Sequence, residues 1–161
     1  MPSRKLKEFL DQKGVRYMTI RHSPAFTAQE IAQSAHIHGA RMAKVVMVKI
    51  GGDMAMAVTS ADRMADLPGI MKAAGTTDVI LADEKEFERR FPDVETGAMP
   101  PFGNLYGMDV YVDEILSKNR EIVFNAGSHT EVIRMAYADF ERLIHPKPFA
   151  RTKQEEVFTG V

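Results

Sequence analysis

Three separated segments of this 161-residue chain carry residue types from which a chemical site could be built. Lys44 lies in an apolar run, residues 97–103 combine two glycines with two prolines, and residues 127–130 read Gly-Ser-His-Thr. A lysine can hold an anion as a point charge, and a glycine–proline loop is stiff enough to form a binding wall. Each segment also has an ordinary interpretation, as a solvent-facing lysine, a surface connection and a locally hydrogen-bonded turn.

The familiar catalytic motifs are absent from the sequence. It contains no Walker phosphate loop, no Rossmann glycine fingerprint and no zinc motif. Gly127-Ser128-His129 does not have the Gly-x-Ser-x-Gly spacing of a nucleophile elbow. The chain has no cysteine. No nearby aspartate, glutamate or third histidine completes a set of metal ligands with His36 and His38. We therefore expect no metal, no cofactor, no disulfide and no cysteine nucleophile.

Composition and charge indicate a globular protein that does not coat nucleic acid. Hydrophobic residues make up 45% and charged residues 27% of the chain, and no apolar run approaches the roughly 18 residues of a membrane span. The N-terminus lacks the apolar segment of a signal peptide, so we expect a cytoplasmic protein without membrane contact. The formal net charge is −1, whereas proteins that hold duplexes by their phosphates are usually basic.

The charge is nevertheless uneven along the chain. Residues 1–21 hold six basic and two acidic side chains, and residues 83–95 hold three basic and six acidic ones. The more common explanation of such clusters is a solvated helix surface. A small basic face could still meet the end of a polyanion.

The order of the expected elements predicts a single domain over residues 1–161. Helices and strands mix without regular βαβ alternation, which favours the α+β (mixed α/β) class. We expect the tail, residues 147–161, to be loosely packed in part. Strands are expected over residues 15–20, 42–50, 54–59, 78–81, 109–113, 121–126 and 132–136. Helices are expected after Ser3, after the Thr27–Glu30 capping box, after Asp66, over 83–91 and over 139–144.

Several short motifs share an order and spacing with a known family. They are His22-Ser-Pro-Ala-Phe-Thr-Ala-Gln-Glu30, Ala43-Lys44, Gly97-Ala-Met-Pro-Pro101, Tyr111-Val-Asp113 and Asn125-Ala-Gly-Ser-His129. Over nearly its whole length the chain resembles the YbaK/ProRS-associated editing domain family, the INS superfamily. Its members, such as YbaK and ProXp-ala, are trans-acting aminoacyl-tRNA deacylases.

The resemblance implies a mixed, partly barrel-like β-sheet flanked by helices. It also implies hydrolysis of the ester between a wrongly attached amino acid and the tRNA 3′ end, using the tRNA 2′-hydroxyl and a positioned water. The implied partner is the acceptor end of an aminoacyl-tRNA, and an aminoacyl-tRNA synthetase is a candidate second partner. A monomer and a weak dimer are both compatible with the sequence.

The resemblance also implies roles for particular residues. Lys44 occupies the position of the functional lysine, and Gly97 begins the Gly-x-x-x-Pro loop, so these two are the catalytic candidates. His129 falls where alanine-editing members carry a pocket histidine. The other substrate-binding candidates are Phe26, Thr27, Met99, Pro101, Phe102, Gly103, Gly127 and Ser128. An aminoacyl ester is already activated, so a positioned water, an excluding wall and donors for the carbonyl oxygen would suffice.

Substrate identity stays open at this level. His129 favours a small amino acid such as alanine or cysteine, with tRNA-Pro as the carrier. Two other interpretations remain: a non-catalytic module that binds an aminoacyl-tRNA or a nucleotide, and a hydrolase of another small ester. The deacylase interpretation requires the Lys44 ammonium and the Gly97 backbone to share one cavity.

Overall fold

The computed structural model describes residues 3–23 and 42–152 of the chain. These residues form helices and strands in a mixed order, which confirms the mixed α/β class. The four helices are α1 (Arg4–Gln12), α2 (Leu67–Ala74), α3 (Glu84–Phe87) and α4 (Tyr137–Ile144). The eight strands are β1 (Tyr17–Arg21), β2 (Ala43–Ile50), β3 (Asp53–Ser60), β4 (Val79–Leu81), β5 (Asp109–Asp113), β6 (Glu121–Ser128), β7 (Glu131–Ala136) and β8 (Lys147–Phe149).

Local sequence signals set the ends of the helices. The Asp66 carboxylate accepts a hydrogen bond from the Gly69 N–H and so caps the start of α2. Gly75 ends that helix in the left-handed conformation, with φ of 72°. The helix expected over residues 83–91 divides into α3 and a 3₁₀ turn, Glu88–Arg90. The helix expected after the Thr27–Glu30 capping box lies outside the described residues.

The strands form two sheets. The three-stranded sheet has the order β1-β7-β6, and all of its neighbours are antiparallel. The five-stranded sheet has the order β4-β2-β3-β5-β8, antiparallel across the first three strands and parallel across the last three. The sheets touch where Met42 forms an isolated parallel bridge with Val123. Within the described part of the chain they do not close into a barrel.

The larger core lies between the two sheets. Its centre is Phe102, a fully buried side chain whose ring lies 5.4 Å from that of Phe124 and 5.8 Å from that of Phe140. Helix α1 covers one side of this core through Leu6 and Leu10, which lie one turn apart on its buried face. The Gly97–Gly103 loop is therefore anchored in the centre of the molecule.

A smaller core lies on the other face of the five-stranded sheet, beneath α2. Val48, Ile70 and Phe149 are buried there. The residues that follow β8 are also fastened: Arg151 Nε lies 2.9 Å from Asp113 Oδ2, and the Thr152 N–H donates to Asp66. Residues 147–152 are thus packed, and the rest of the expected loose tail, 153–161, lies beyond the described part. No helix in the described residues is long and apolar enough to cross a membrane.

Candidate active site

The Gly97–Gly103 loop and the Gly127–Thr130 turn lie against each other, although they are distant in sequence. The Glu95 N–H donates to the Gly127 carbonyl at 2.9 Å, and the Gly127 N–H donates to the Ala98 carbonyl at 3.0 Å. A bulge between Asn125 and Ser128 interrupts the β6–β7 ladder at this point, which frees the Gly127 backbone for the loop. Gly127 has φ of +102°, a conformation that favours glycine.

His129 is attached to the loop at two points. Its backbone N–H donates to Glu95 Oε1 at 2.8 Å, and its ring Nε2 lies 2.9 Å from the Thr96 carbonyl oxygen. Because a carbonyl oxygen only accepts, Nε2 carries the hydrogen of this bond. The ring is therefore oriented by the loop that it faces.

Gly97 lies beneath the imidazole of His129. Its φ is +88°, and a Cβ added there would lie 3.5 Å from His129 Cε1 and 3.8 Å from Nε2. The Gly97 N–H points at the thioether of Met99 at 3.3 Å. A thioether is a weak acceptor, so a substrate oxygen could compete for this donor only if the Met99 side chain moved aside.

The remainder of the loop is largely buried. Met99, Pro101, Phe102 and Gly103 are all buried, and Phe102 packs among aromatic rings. A Cβ at Gly103 would lie 2.6 Å from the Met108 carbonyl oxygen, so the chain approaches too closely there for any side chain. The structure thus places Phe102 and Gly103 as anchors of the loop. Gly97 is its exposed residue, and Glu95 and Thr96, which precede the loop, are exposed too.

Lys44 lies in β2, directly opposite Thr59 of β3. Its neighbours Ala43 and Val45 pack into the larger core, so the Lys44 side chain extends from the other face of the strand. Lys49, five residues later, extends from the opposite face and pairs with Glu86 at 2.7 Å. Within residues 3–23 and 42–152, no hydrogen bond or ion pair holds the Lys44 ammonium.

The start of β2 runs beside β6, the strand that leads into the Gly127–Thr130 turn. The bridge from Met42 to Val123 is parallel, so the chain beyond Met42 runs in the same direction as β6 towards that turn. The structure thus brings the loop and the turn into direct contact, whereas Lys44 extends from the face of β2 that is turned away from the larger core, in which the loop is anchored. It records no contact from the Lys44 ammonium to Gly97 or His129 within the described chain.

Three of the predicted substrate-binding residues remain: Ser128, Phe26 and Thr27. Ser128 is half-buried, and its hydroxyl lies 3.3 Å from the Thr130 hydroxyl. The Thr130 carbonyl accepts the N–H of His22 at 2.8 Å, which fastens the turn to the end of β1. Phe26 and Thr27 lie outside the described residues.

Two acidic residues that the sequence analysis did not single out support the turn. Glu95 is the first. The second is Glu131, a buried carboxylate 3.1 Å from Lys7 Nζ and 3.6 Å from Arg21 Nη2. Burial raises the pKa of Glu131, but hydrogen bonds from Ser3 and Lys7 and the charges of Lys7 and Arg21 outweigh it, and the pKa lies below its ordinary value. The available signal for Glu131 was a charged residue at the start of a strand, Glu131–Ala136, whose other charged residue is Arg134.

The described residues contain no group of three or more histidine, cysteine, aspartate or glutamate side chains that could hold a metal ion. The loop and the turn instead form a backbone framework that holds the imidazole of His129 against Gly97. Such a framework can position a ligand and limit its size.

The fold is shared with several solved structures of low sequence identity. One is a scaffold protein for computational grafting of epitope backbones, with a TM-score of 0.80, 19% identity and coverage of 95% of this chain and 97% of the other. Another is a protein proposed to be a trans-editing enzyme for prolyl tRNA synthetase, with a TM-score of 0.81, 17% identity and coverage of 95% and 98%. A signal-transduction candidate from Marinobacter aquaeolei VT8 has a TM-score of 0.69 and 16% identity, and the match covers 89% of this chain and 29% of that one.

Sequence comparison identifies the family of the chain. No curated protein sequence matches the chain significantly. The family model of the aminoacyl-tRNA editing domain matches residues 22–143, which include β2, the Gly97–Gly103 loop and the Gly127–Thr130 turn. Since this match spans well over half of the sequence, the chain belongs to the aminoacyl-tRNA editing domain family.

Proposed function

We propose that this protein is a trans-acting deacylase that hydrolyses the ester bond of mischarged aminoacyl-tRNA. The observation that carries the proposal is the attachment of His129 to Glu95 and Thr96, which fixes an imidazole across Gly97 in a chain of the editing-domain family. The acceptor end of the tRNA is the part of the substrate that it binds.

The substrate that fits best carries a small amino acid, such as alanine or cysteine, and tRNA-Pro is the proposed carrier. The imidazole of His129 lies within van der Waals reach of the Cβ that Gly97 lacks, so it occupies space beside the loop that a large side chain would need. The likeness in fold to a protein proposed to be a trans-editing enzyme for prolyl tRNA synthetase agrees with this choice.

The proposed reaction needs no nucleophile from the protein. A water oriented by the tRNA 2′-hydroxyl attacks the ester carbonyl carbon, and the bond from that carbon to the 3′ oxygen breaks. The 3′ oxygen takes a proton, and the amino acid leaves as a carboxylate with release of a second proton. The protein contributes a fixed position for the ester and a positive charge. Because the ester is already activated, its hydrolysis depends on these more than on a strong base.

Lys44 is the proposed charged group. Its ammonium has no ion pair within the described residues, whereas Lys49 on the opposite face of β2 is held by Glu86. An ammonium with no ion pair among the described residues can attract a phosphate of the tRNA acceptor end as a point charge. Gly97 contributes the loop conformation that supports the imidazole.

A panel of mischarged tRNAs tests the proposal. We expect alanyl-tRNA-Pro or cysteinyl-tRNA-Pro to be deacylated well above the spontaneous rate, and prolyl-tRNA-Pro to be left intact. Tight binding of charged tRNA with an intact ester after long incubation would instead indicate a binding module. Equal hydrolysis of a small amino acid ester without the tRNA would indicate a general esterase.

A further inference from the structure

We infer that the base-paired acceptor stem of the tRNA lies over the N-terminal end of α1 and the end of β1, where Lys5 and Arg21 bind its phosphates. This inference rests on the proposed function and adds to it the surface that receives the body of the substrate. The loop and the turn are proposed to hold the esterified end of the tRNA. The stem behind that end must therefore lie against a surface next to them.

The N-terminal end of α1 is the end nearest to the candidate site. Lys7 Nζ lies 3.1 Å from Oε2 of Glu131, the residue directly after the β6–β7 turn. Further along the helix, Asp11 accepts a hydrogen bond from the Tyr17 hydroxyl at 2.9 Å. Tyr17 is the start of β1, which runs from there to Arg21, the pairing partner of Glu131. Helix α1 therefore runs antiparallel to β1, and its C-terminal end points away from the turn.

Positive charge is in excess at this end of α1. Four basic side chains lie there, and they pair with only two carboxylates of the described chain. The basic side chains are Arg4, Lys5, Lys7 and Arg21, and the carboxylates are Glu8 and Glu131. A surface with such an excess of positive charge attracts a polyanion and guides its approach.

Lys5 is held in position without an ion pair. Its Nζ lies 4.5 Å from the centre of the Tyr106 ring, and that ring packs on the ring of Phe91 at a centroid distance of 4.5 Å. Within residues 3–23 and 42–152, no carboxylate pairs with Lys5. The ring attracts the ammonium but does not neutralise its charge, so its N–H donors remain available to a phosphate oxygen.

Arg21 is exposed on the other side of the helix. Its Nη2 lies 3.6 Å from Glu131 Oε2, and 71% of its side chain is accessible to solvent. Lys7 contacts the same oxygen at 3.1 Å, so two cations share one negative charge. The guanidinium therefore keeps donors for a phosphate, whose oxygens it can bind two at a time. Lys5 and Lys7 are two positions apart and extend from different sides of α1, so Lys5 and Arg21 flank its N-terminal end.

Two double variants at opposite ends of α1 provide the experiment. Lys5→Gln with Arg21→Gln removes the two proposed contacts. Lys13→Gln with Arg16→Gln removes the same charge from exposed positions at the C-terminal end of the helix, and it serves as the matched control. The Kd of unacylated tRNA-Pro is measured by fluorescence anisotropy from roughly 50 to 200 mM NaCl. KM is measured with alanyl-tRNA-Pro, and thermal denaturation checks the folding of each protein.

We expect the variant of Lys5 and Arg21 to bind unacylated tRNA-Pro more weakly and with less dependence on salt. Each phosphate contact with a duplex contributes about 0.9 to the slope of log affinity against log salt concentration. Loss of two contacts should therefore lower the slope by roughly 1.8. Kd and KM should both rise on the order of 10-fold at the lower salt concentrations. The control variant should keep the wild-type slope.

The outcomes separate the inference from the proposed function. An unchanged slope in the variant of Lys5 and Arg21, or an equal fall in the control, would overturn the inference and leave deacylation standing. A slope that falls in that variant alone, with no deacylation by folded wild type, would support the inference and overturn the proposed function. If the double variant does not fold, Lys5→Gln, which breaks no ion pair, gives the same test at about half the change in slope, with Lys13→Gln as its control.

Discussion

Replacing Gly97 with alanine tests whether the site depends on the conformation of its loop. Gly97 has φ of +88°, and an added Cβ would lie 3.5 Å from His129 Cε1, an ordinary contact distance. The cost is therefore mainly backbone strain, about 1–2 kcal/mol for an alanine in the left-handed region. For a domain of this size, that strain corresponds to a fall in Tm of roughly 2–8 °C. The methyl group also takes up the space between the loop and the imidazole.

Gly52 provides a matched control. It lies in the turn between β2 and β3, its φ is +89°, and no atom lies within 4 Å of the position that a Cβ would take. Gly52→Ala should therefore introduce a similar backbone strain without changing the contact between Gly97 and His129. We expect both variants to lose a similar amount of thermal stability, measured by circular dichroism, and only Gly97→Ala to lose deacylation of alanyl-tRNA-Pro.

Two results would refute this reasoning. If Gly97→Ala deacylates as fast as Gly52→Ala, the contact between Gly97 and His129 has no part in the reaction. If Gly97→Ala is as stable as wild type while Gly52→Ala is not, the loop does not hold the positive φ on which the account of the site depends.

Three further predictions concern stability. Arg151→Ala should lower the free energy of unfolding by about 3 kcal/mol in urea denaturation, because it leaves the carboxylate of Asp113, 1% exposed, buried without its partner; an unchanged midpoint would show that the pair is not formed. Gly69→Ala should cost about 1–3 kcal/mol, since the new methyl group would meet the Ala150 carbonyl oxygen; wild-type stability would contradict this packing. The pKa of Glu131 is lowered from its ordinary value of 4.5, so its contribution to stability is present above that value and is lost as the pH falls through the folded pKa. The Tm of wild type should therefore fall more steeply below about pH 4.5 than that of Glu131→Gln, and parallel curves would contradict the assignment.

Local signals in the sequence predicted those elements whose causes are local. Asp66 begins α2 with a side-chain cap, and Gly75 ends it with a positive φ, both as the residue types indicate. The hairpin of β2 and β3 follows from two glycines between alternating strands, which adopt the positive φ values that such a turn needs. In these segments, residues a few positions apart determine the structure.

Features that depend on distant contacts could not be predicted in the same way. The bond from His129 to Glu95 joins residues 34 positions apart, and nothing near Glu95 distinguishes it from the other acidic residues of its segment. Strand β8 contains a proline and only three residues, and it forms because Tyr111 and its neighbours in β5 offer an edge to pair with. The sequence also could not show that Phe102, in an irregular loop, fills the centre of the larger core.

The most direct test of the central claim is the rate at which the purified protein releases alanine from alanyl-tRNA-Pro. Lys44→Ala is measured beside it, with Lys49→Ala as a control on the opposite face of the same strand. The account predicts release far above the spontaneous rate by wild type and by Lys49→Ala, and a loss on the order of 100-fold in Lys44→Ala. Release at the spontaneous rate by wild type, or equal rates in all three proteins, would contradict it.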